Sequence, residues 1–289
     1  MARAKTGTAP RSTAENIKAD GERAAKKAAY SPQMDMLARL GYAVRGIMYV
    51  TIGSIALQAA FGKASSPADQ IGAITRLGTG PGGRLLLWVI LVGLAAYALW
   101  GLIRAILDPF HKGTDTGGLL ARGGYPISAA SYAFFAYATY GLLRGTGGGS
   151  GSNLRFIGQL MQLPAGRILV AAIGLATLGG GLYQIYAGLT MNFEHRFKPY
   201  ALSADQLRTA KQLGRIGTAA RGIVIAIMGA FILLAATSAD PSKARGFGGA
   251  LSFLGQQPFG LYILAIIAAG LIFLGIYSLM SAAWFRLRH

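Results

Sequence analysis

Long uncharged, apolar stretches separated by short charged clusters dominate the chain. Uncharged runs of 17, 19, 21, 26 and 18 residues lie between Arg45 and Lys63, Arg84 and Arg104, Arg122 and Arg144, Arg167 and Glu194, and Arg221 and Asp240. A sixth run, of 40 residues, lies between Arg245 and Arg286, and its apolar part starts near Phe259. A helix rises 1.5 Å per residue, so about 20 apolar residues cross a bilayer core. Leu, Ile, Ala and Val fill these runs without the polar–apolar alternation of a barrel strand. The pattern predicts an all-α integral membrane protein with six transmembrane helices.

The helices are expected in three tandem pairs, because the chain repeats itself. Residues 37–46 read LARLGYAVRG, residues 120–129 read LARGGYPISA and residues 213–222 read LGRIGTAARG. Arg39, Arg122 and Arg215 therefore correspond, as do Gly41, Gly124 and Gly217; Arg45 matches Arg221, with Ser128 between them. The second helix of each pair follows a Pro-x-Gly at Pro81, Pro164 and Pro258. Proline fits a first helical turn, where its missing N–H leaves nothing unpaired, so each is expected to open its helix. Ile74 with Leu77, Ile157 with Leu160, and Leu251 with Leu254 recur just before these prolines. Apolar pairs at i, i+3 predict short amphipathic helices at the membrane interface, on the outer face.

The Arg-x-Gly-Tyr opening (Arg39, Gly41, Tyr42), the Ala-Arg-Gly of residues 220–222 and the repeated Pro-x-Gly resemble a bacterial membrane family, domain of unknown function 1206. The resemblance covers roughly residues 37–289 and implies three tandem copies of a two-helix unit. It implies no activity. The second repeat departs most from the pattern, at Pro126, Ser128 and Ala129.

The expected organisation is a basic, mixed-charge cytoplasmic segment at 1–36, membrane repeats at 37–110 and 119–192, a cytoplasmic connection at 193–212 and a third repeat at 213–289. A pseudo-threefold arrangement follows if the three pairs surround one axis. The first 36 residues have no apolar core of the kind a cleavable signal carries, and disorder is expected at their start.

Composition sharpens this picture. Hydrophobic residues make up 53% and charged residues 13%, against about 25% charged in a soluble domain. Of the 28 Lys and Arg, 20 lie on the side of the two chain ends and 8 on the other. The positive-inside rule then puts both termini in the cytoplasm, and the resemblance to a bacterial family implies an inner (plasma) membrane. Much of the +18 net charge is thus a topology signal facing anionic headgroups. No nucleic-acid motif accompanies it, so no nucleic-acid partner is expected.

The chain has no Cys, which excludes disulfides and thiolate metal sites. All ten acidic residues and all three His lie outside the six apolar segments. Proton relays and ion-coupled transporters use such groups inside the membrane, so neither they nor an intramembrane haem is expected. No HExxH, P-loop or GxSxG is present. Glu194-His195-Arg196 and Asp108 with His111 read as solvated loops. No cofactor, metal or catalytic residue is expected, and a membrane enzyme is the third reading.

The sharpest candidates are arginines. Arg39, Arg45, Arg122, Arg215 and Arg221 on one side, with Arg84 and Arg167 on the other, are candidates to hold an anion or a lipid headgroup, because a planar guanidinium pairs two donors with phosphate. Snorkelling to the headgroups is the plainer alternative. Gly180, Gly222 and Gln184 are expected to serve helix packing. The leading function is a non-catalytic membrane component that binds anionic lipid headgroups or a protein partner, with a homo-oligomer as the other expected association. A channel or passive transporter for anions or small solutes is the alternative.

Overall fold

The computed structural model describes residues 32–64, 69–107, 116–146, 152–190 and 203–284. The N-terminal segment before residue 32, Asp108 with His111, Glu194 to Arg196 and most of the Gly/Ser-rich stretch near residue 149 lie outside the described residues. Every regular element among the described residues is helical. In chain order they are α1 (Pro32–Ala60), α2 (Gln70–Gly78), α3 (Gly83–Leu107), α4 (Thr116–Leu143), α5 (Ser152–Met161), α6 (Gly166–Thr190), α7 (Ala204–Thr237), a 3-10 turn (Pro241–Lys243), α8 (Phe247–Gly255) and α9 (Gly260–Trp284).

Five helices among the described residues are long and apolar enough to cross a membrane: α1 from Ala38, α3 as far as Ile103, α6, α7 and α9. The third long helix in chain order, α4, has 28 residues and is not among these five. Tyr125, Tyr132, Tyr137 and Tyr140, with Ser128, Ser131 and Thr139, dilute its Ala, Phe and Leu, and Pro126 sits inside it.

The short helices α2, α5 and α8 fall where the i, i+3 pairs stand. Their apolar sides pack onto the bundle. Ile74 is fully buried in a cluster with Leu87 and Ile90 of α3, and Leu251 and Leu254 lie in the core beside Leu264. Ile157 and Leu160 rest on Val170, Ile232 and Ala236.

The prolines do not open the long helices as the sequence suggests. Each sits in a turn just before one. Gly83 N–H donates to Gly80 O at 2.9 Å, Gly166 N–H to Leu163 O at 2.8 Å and Gly260 N–H to Gln257 O at 2.7 Å. The residue after each proline has a left-handed φ: Gly82 +70°, Ala165 +60° and Phe259 +61°. Proline followed by positive φ is the arrangement of a type II turn. The glycine that closes it is required by space. A Cβ there would stand 2.0 Å from Gly78 O, 1.9 Å from Leu160 O and 2.1 Å from Gly255 O. The Pro-x-Gly thus folds each short helix back against the start of the next long one.

The long helices pack in the order α4, α3, α1, α9, α7, α6. The seams joining successive repeats, α3·α4, α6·α7 and α9·α1, are more extensive than the within-repeat seams α1·α3 and α7·α9. Close backbone approach explains this. A Cβ at Gly46 would stand 2.9 Å from Gly275 O, and one at Gly222 would stand 2.8 Å from Gly181 O. Gly46 and Gly222 are equivalent residues of two repeats, and Gly275 and Gly181 both lie seventeen after their proline. Apolar helices cannot sort themselves by burial from lipid, so small-residue contacts of this kind hold them together. Among the described residues, α4 and α6 share no such seam.

Candidate functional site

Arg45 and Arg221 come together inside the bundle. Their guanidinium carbons lie 5.7 Å and 5.6 Å from the centre of the Tyr49 ring, so the two cations are within roughly 11 Å of each other. Arg45 Nη1 donates to the Tyr97 hydroxyl at 2.9 Å and sits 5.9 Å from that ring. Tyr97 in turn packs on Tyr132 at 4.4 Å and edge-on against Tyr42 at 5.5 Å. Tyr132 thus joins the cluster through Tyr97. One site therefore draws on α1 (Tyr42, Arg45, Tyr49), α3 (Tyr97), α4 (Tyr132) and α7 (Arg221), and so on all three repeats.

Its electrostatics are unbalanced. The Nε atoms of Arg45 and Arg221 are both buried without a hydrogen-bond partner. The described acidic side chains, Asp69, Asp205 and Asp240, stand at the starts of α2, α7 and the 3-10 turn. A cation over an aromatic face gains about 0.5–2 kcal/mol. Withdrawing a charge from water costs several kcal/mol per ion after relaxation. Both residues are half-buried, and ring contacts with one hydrogen bond to a hydroxyl leave their two Nε donors unpaired; an anion beside them would supply an acceptor. No group of three metal-ligating side chains occurs among the described residues.

The other candidate arginines are held elsewhere. Arg39 Nη2 donates to Ala283 O at 3.1 Å, near the end of α9. Arg215 donates through Nε to Gly188 O at 3.2 Å and through Nη2 to Leu189 O, at the end of α6. Arg167 donates through Nε to Ala236 O and through Nη2 to Thr237 O, both at 3.3 Å, at the end of α7. Each places a cation on the last carbonyls of a neighbouring helix, where the free acceptors and the negative pole lie. Arg84 is exposed in the first turn of α3, and the side chain of Arg122 lies outside the described ones. Arg39 and Arg215 are thus not brought to the Arg45–Arg221 site.

The packing positions also divide. Gly222 lies in the α6·α7 seam, but its partner is Gly181; at Gly180 a Cβ would meet nothing within 4 Å. A residue turns 100° around a helix, so only one of two adjacent glycines can face α7. Gln184 Nε2 donates to Gly180 O of its own helix at 3.3 Å, and its Oε1 is buried without a partner. The sequence reading did not single out Tyr49 and Tyr97. A signal for part of this was available: Arg45–Tyr49 and Ser128–Tyr132 are i, i+4 pairs at equivalent repeat positions.

The model of the family described as Domain of Unknown Function (DUF1206) matches residues 40–108, 123–191 and 216–284. The chain belongs to this family. The three matches coincide with the three helix pairs. Among its relatives is an uncharacterized protein of Bacillus subtilis (strain 168), YxxB. That protein is 33% identical over 253 residues, which cover 88% of this chain and 92% of the relative. No solved structure matches this DUF1206 protein.

Proposed function

We propose that this protein is a non-catalytic, six-span component of the bacterial cytoplasmic membrane whose interior holds the phosphate of an anionic lipid headgroup. The observation that carries this reading is the Arg45–Arg221 pair, two guanidinium groups inside the bundle with buried, unpartnered Nε atoms and no described carboxylate beside them. Guanidinium forks match phosphate oxygens, and tyrosine hydroxyls add neutral donors around them.

In this reading α4 is the sixth span. Its 28 residues reach about 42 Å, and it packs along α3 as the other long helices pack along theirs. The six helices surround a pseudo-threefold axis, with Arg45, Ser128 and Arg221 at equivalent positions on α1, α4 and α7. The packing of Tyr132 on Tyr97, which holds Arg45, supports that arrangement. Both chain ends face the cytoplasm, as the excess of Lys and Arg on their side suggests.

Gentle extraction followed by native mass spectrometry tests the reading. The intact particle should carry an anionic lipid that the Arg45→Gln/Arg221→Gln variant loses. A particle carrying a protein companion and no lipid, or a double variant that keeps the lipid, would overturn it. Convergence of three repeats on one charged site also favours a second reading, a passive anion path. Liposome flux above that of empty vesicles, reduced in the double variant, would establish that path.

A further inference from the structure

Arginines in this bundle are used in two ways, and the difference lies in which edge of the guanidinium is occupied. Arg167 and Arg215 each turn the Nε–Nη2 edge onto two carbonyls at the end of a neighbouring helix, Ala236 and Thr237 for one, Gly188 and Leu189 for the other. That edge carries two parallel donors, the fork that fits a pair of oxygens. In these two residues it is spent on structure. Arg45 is held from the other side. Its Nη1 donates to the Tyr97 hydroxyl at 2.9 Å, and its buried Nε has no partner.

The holder is itself fixed. Tyr97 is 4% exposed. Its ring packs on Tyr132 at 4.4 Å and stands edge-on to Tyr42 at 5.5 Å. It also lies so close to α1 that a Cβ at Gly41 would be 2.7 Å from its Cβ and Cδ2. Packing on these sides sets where the hydroxyl stands. A long arginine side chain gives up rotamer freedom when it binds an anion, and a fixed hydroxyl removes part of that loss before the ligand arrives. Repeat 3 supplies the contrast. Tyr97 lies sixteen residues after Pro81, whereas the residue sixteen after Pro258 is Leu274. Leucine has no hydroxyl to offer Arg221, the counterpart of Arg45. Arg221 meets the Tyr49 ring at 5.6 Å, and its Nε is likewise buried without a partner.

We propose that Tyr97 is the positioning residue of the phosphate site: its hydroxyl takes Nη1 of Arg45 and so reserves the Nε–Nη2 fork for the ligand. The inference rests on the lipid-phosphate reading above and adds how one arginine is kept ready for it. Arg45 is only half-buried, so the held guanidinium stays within reach of a ligand. Arg45 is then the preset cation of the pair and Arg221 the adaptable one.

A double-mutant cycle tests this. Full-length wild type, Tyr97→Phe, Arg45→Gln, Arg221→Gln and the three pairwise combinations would be reconstituted in nanodiscs of phosphatidylcholine with rising shares of phosphatidylglycerol. Native mass spectrometry counts bound phosphatidylglycerol, and the titration gives its apparent affinity. Tyr97→Phe keeps the ring and removes only the hydroxyl. It should weaken binding roughly tenfold in the wild type and in Arg221→Gln, and add no loss in Arg45→Gln. The same factor in both arginine backgrounds would mean a structural role and overturn the proposal. Wild-type affinity in Tyr97→Phe, with loss in Arg45→Gln, would also overturn it and leave the lipid reading standing. Wild-type affinity in Arg45→Gln/Arg221→Gln would overturn the lipid reading itself. Tyr97→Leu, which places the residue of repeat 3 here, is the second variant and should show the same dependence on Arg45. The bound lipid should survive excess inorganic phosphate; its displacement would overturn the lipid reading.

Discussion

Single positions carry much of the specification. Gly181 and Gly180 are neighbours with opposite surroundings: a Cβ at Gly181 would stand 2.4 Å from Ala226 N, whereas Gly180 opens on space. Gly181→Leu should therefore destabilise by about 1–3 kcal/mol through overpacking, and Gly180→Ala should be nearly neutral. Thermal midpoints of the two purified variants decide this, and equal losses would remove the seam argument. Ala165 holds a left-handed φ of +60° in the turn before α6. Ala165→Gly should raise the midpoint, because relief of a strain of about 1–2 kcal/mol outweighs the extra backbone entropy of glycine in the unfolded chain, about 0.5–1 kcal/mol. A lowered midpoint would show that the turn holds no such strain. Asp240 Oδ1 accepts from Ser242 Oγ at 2.6 Å and from Ser242 N–H at 3.0 Å, and these bonds hold its carboxyl below the usual carboxylate range. A depressed folded pKa gives stability that is present above the unfolded value and is lost as pH falls through the folded one. Ser242→Ala should raise the Asp240 midpoint toward about 3.9 while the backbone bond persists, as read by carboxyl NMR titration; an unmoved midpoint would refute the hydroxyl's part.

At the scale of elements, arginines tie the end of one helix to the body of another. α6 depends on this most, because among the described residues α7 is the one long helix with which it shares an extensive seam. Arg215→Ala leaves the carbonyls of Gly188 and Leu189 without their donors. Amide exchange in the last turn of α6 should accelerate, with little change in the core of α9; hydrogen exchange with mass spectrometry measures both. Uniform acceleration across the chain would mean global destabilisation. The elements themselves were largely legible. The long apolar runs became long helices, and the i, i+3 pairs became α2, α5 and α8. The prolines misled because a helix-opening proline and a type II turn proline look alike in sequence. The difference lies in the positive φ of the next residue and in a carbonyl about 2 Å from where a Cβ would be.

For the whole molecule, topology is the open quantity that experiment settles directly. The chain has no Cys, so single introduced cysteines report cleanly on which side of the membrane they lie. In the six-span reading, cysteines near the two chain ends label from the cytoplasm, and cysteines at Gly80, Gln162 and Gln256, in the turns after the short helices, label from outside. Ends that label from opposite sides would reduce the count to five spans and leave α4 out of the membrane. The same protein would then need another account of Tyr132 packed on Tyr97.

The sequence by itself determined the helical class, the three repeats, the positions of the short helices and the absence of acidic groups from the apolar runs. Each is a local or periodic property, written in hydrophobicity and spacing. It also identified arginines as the residues of interest, and it treated Arg39, Arg215, Arg45 and Arg221 alike. Their separation was a tertiary decision. Arg39 and Arg215 face helix ends with free carbonyls, whereas Arg45 and Arg221 face a shared tyrosine ring from different repeats. The seam glycine of α6 was decided in the same way. Gly180 is one glycine among 42 in the sequence. It is the neighbouring Gly181 that faces Ala226 of α7, because packing is a property of facing surfaces that a linear pattern does not bring together.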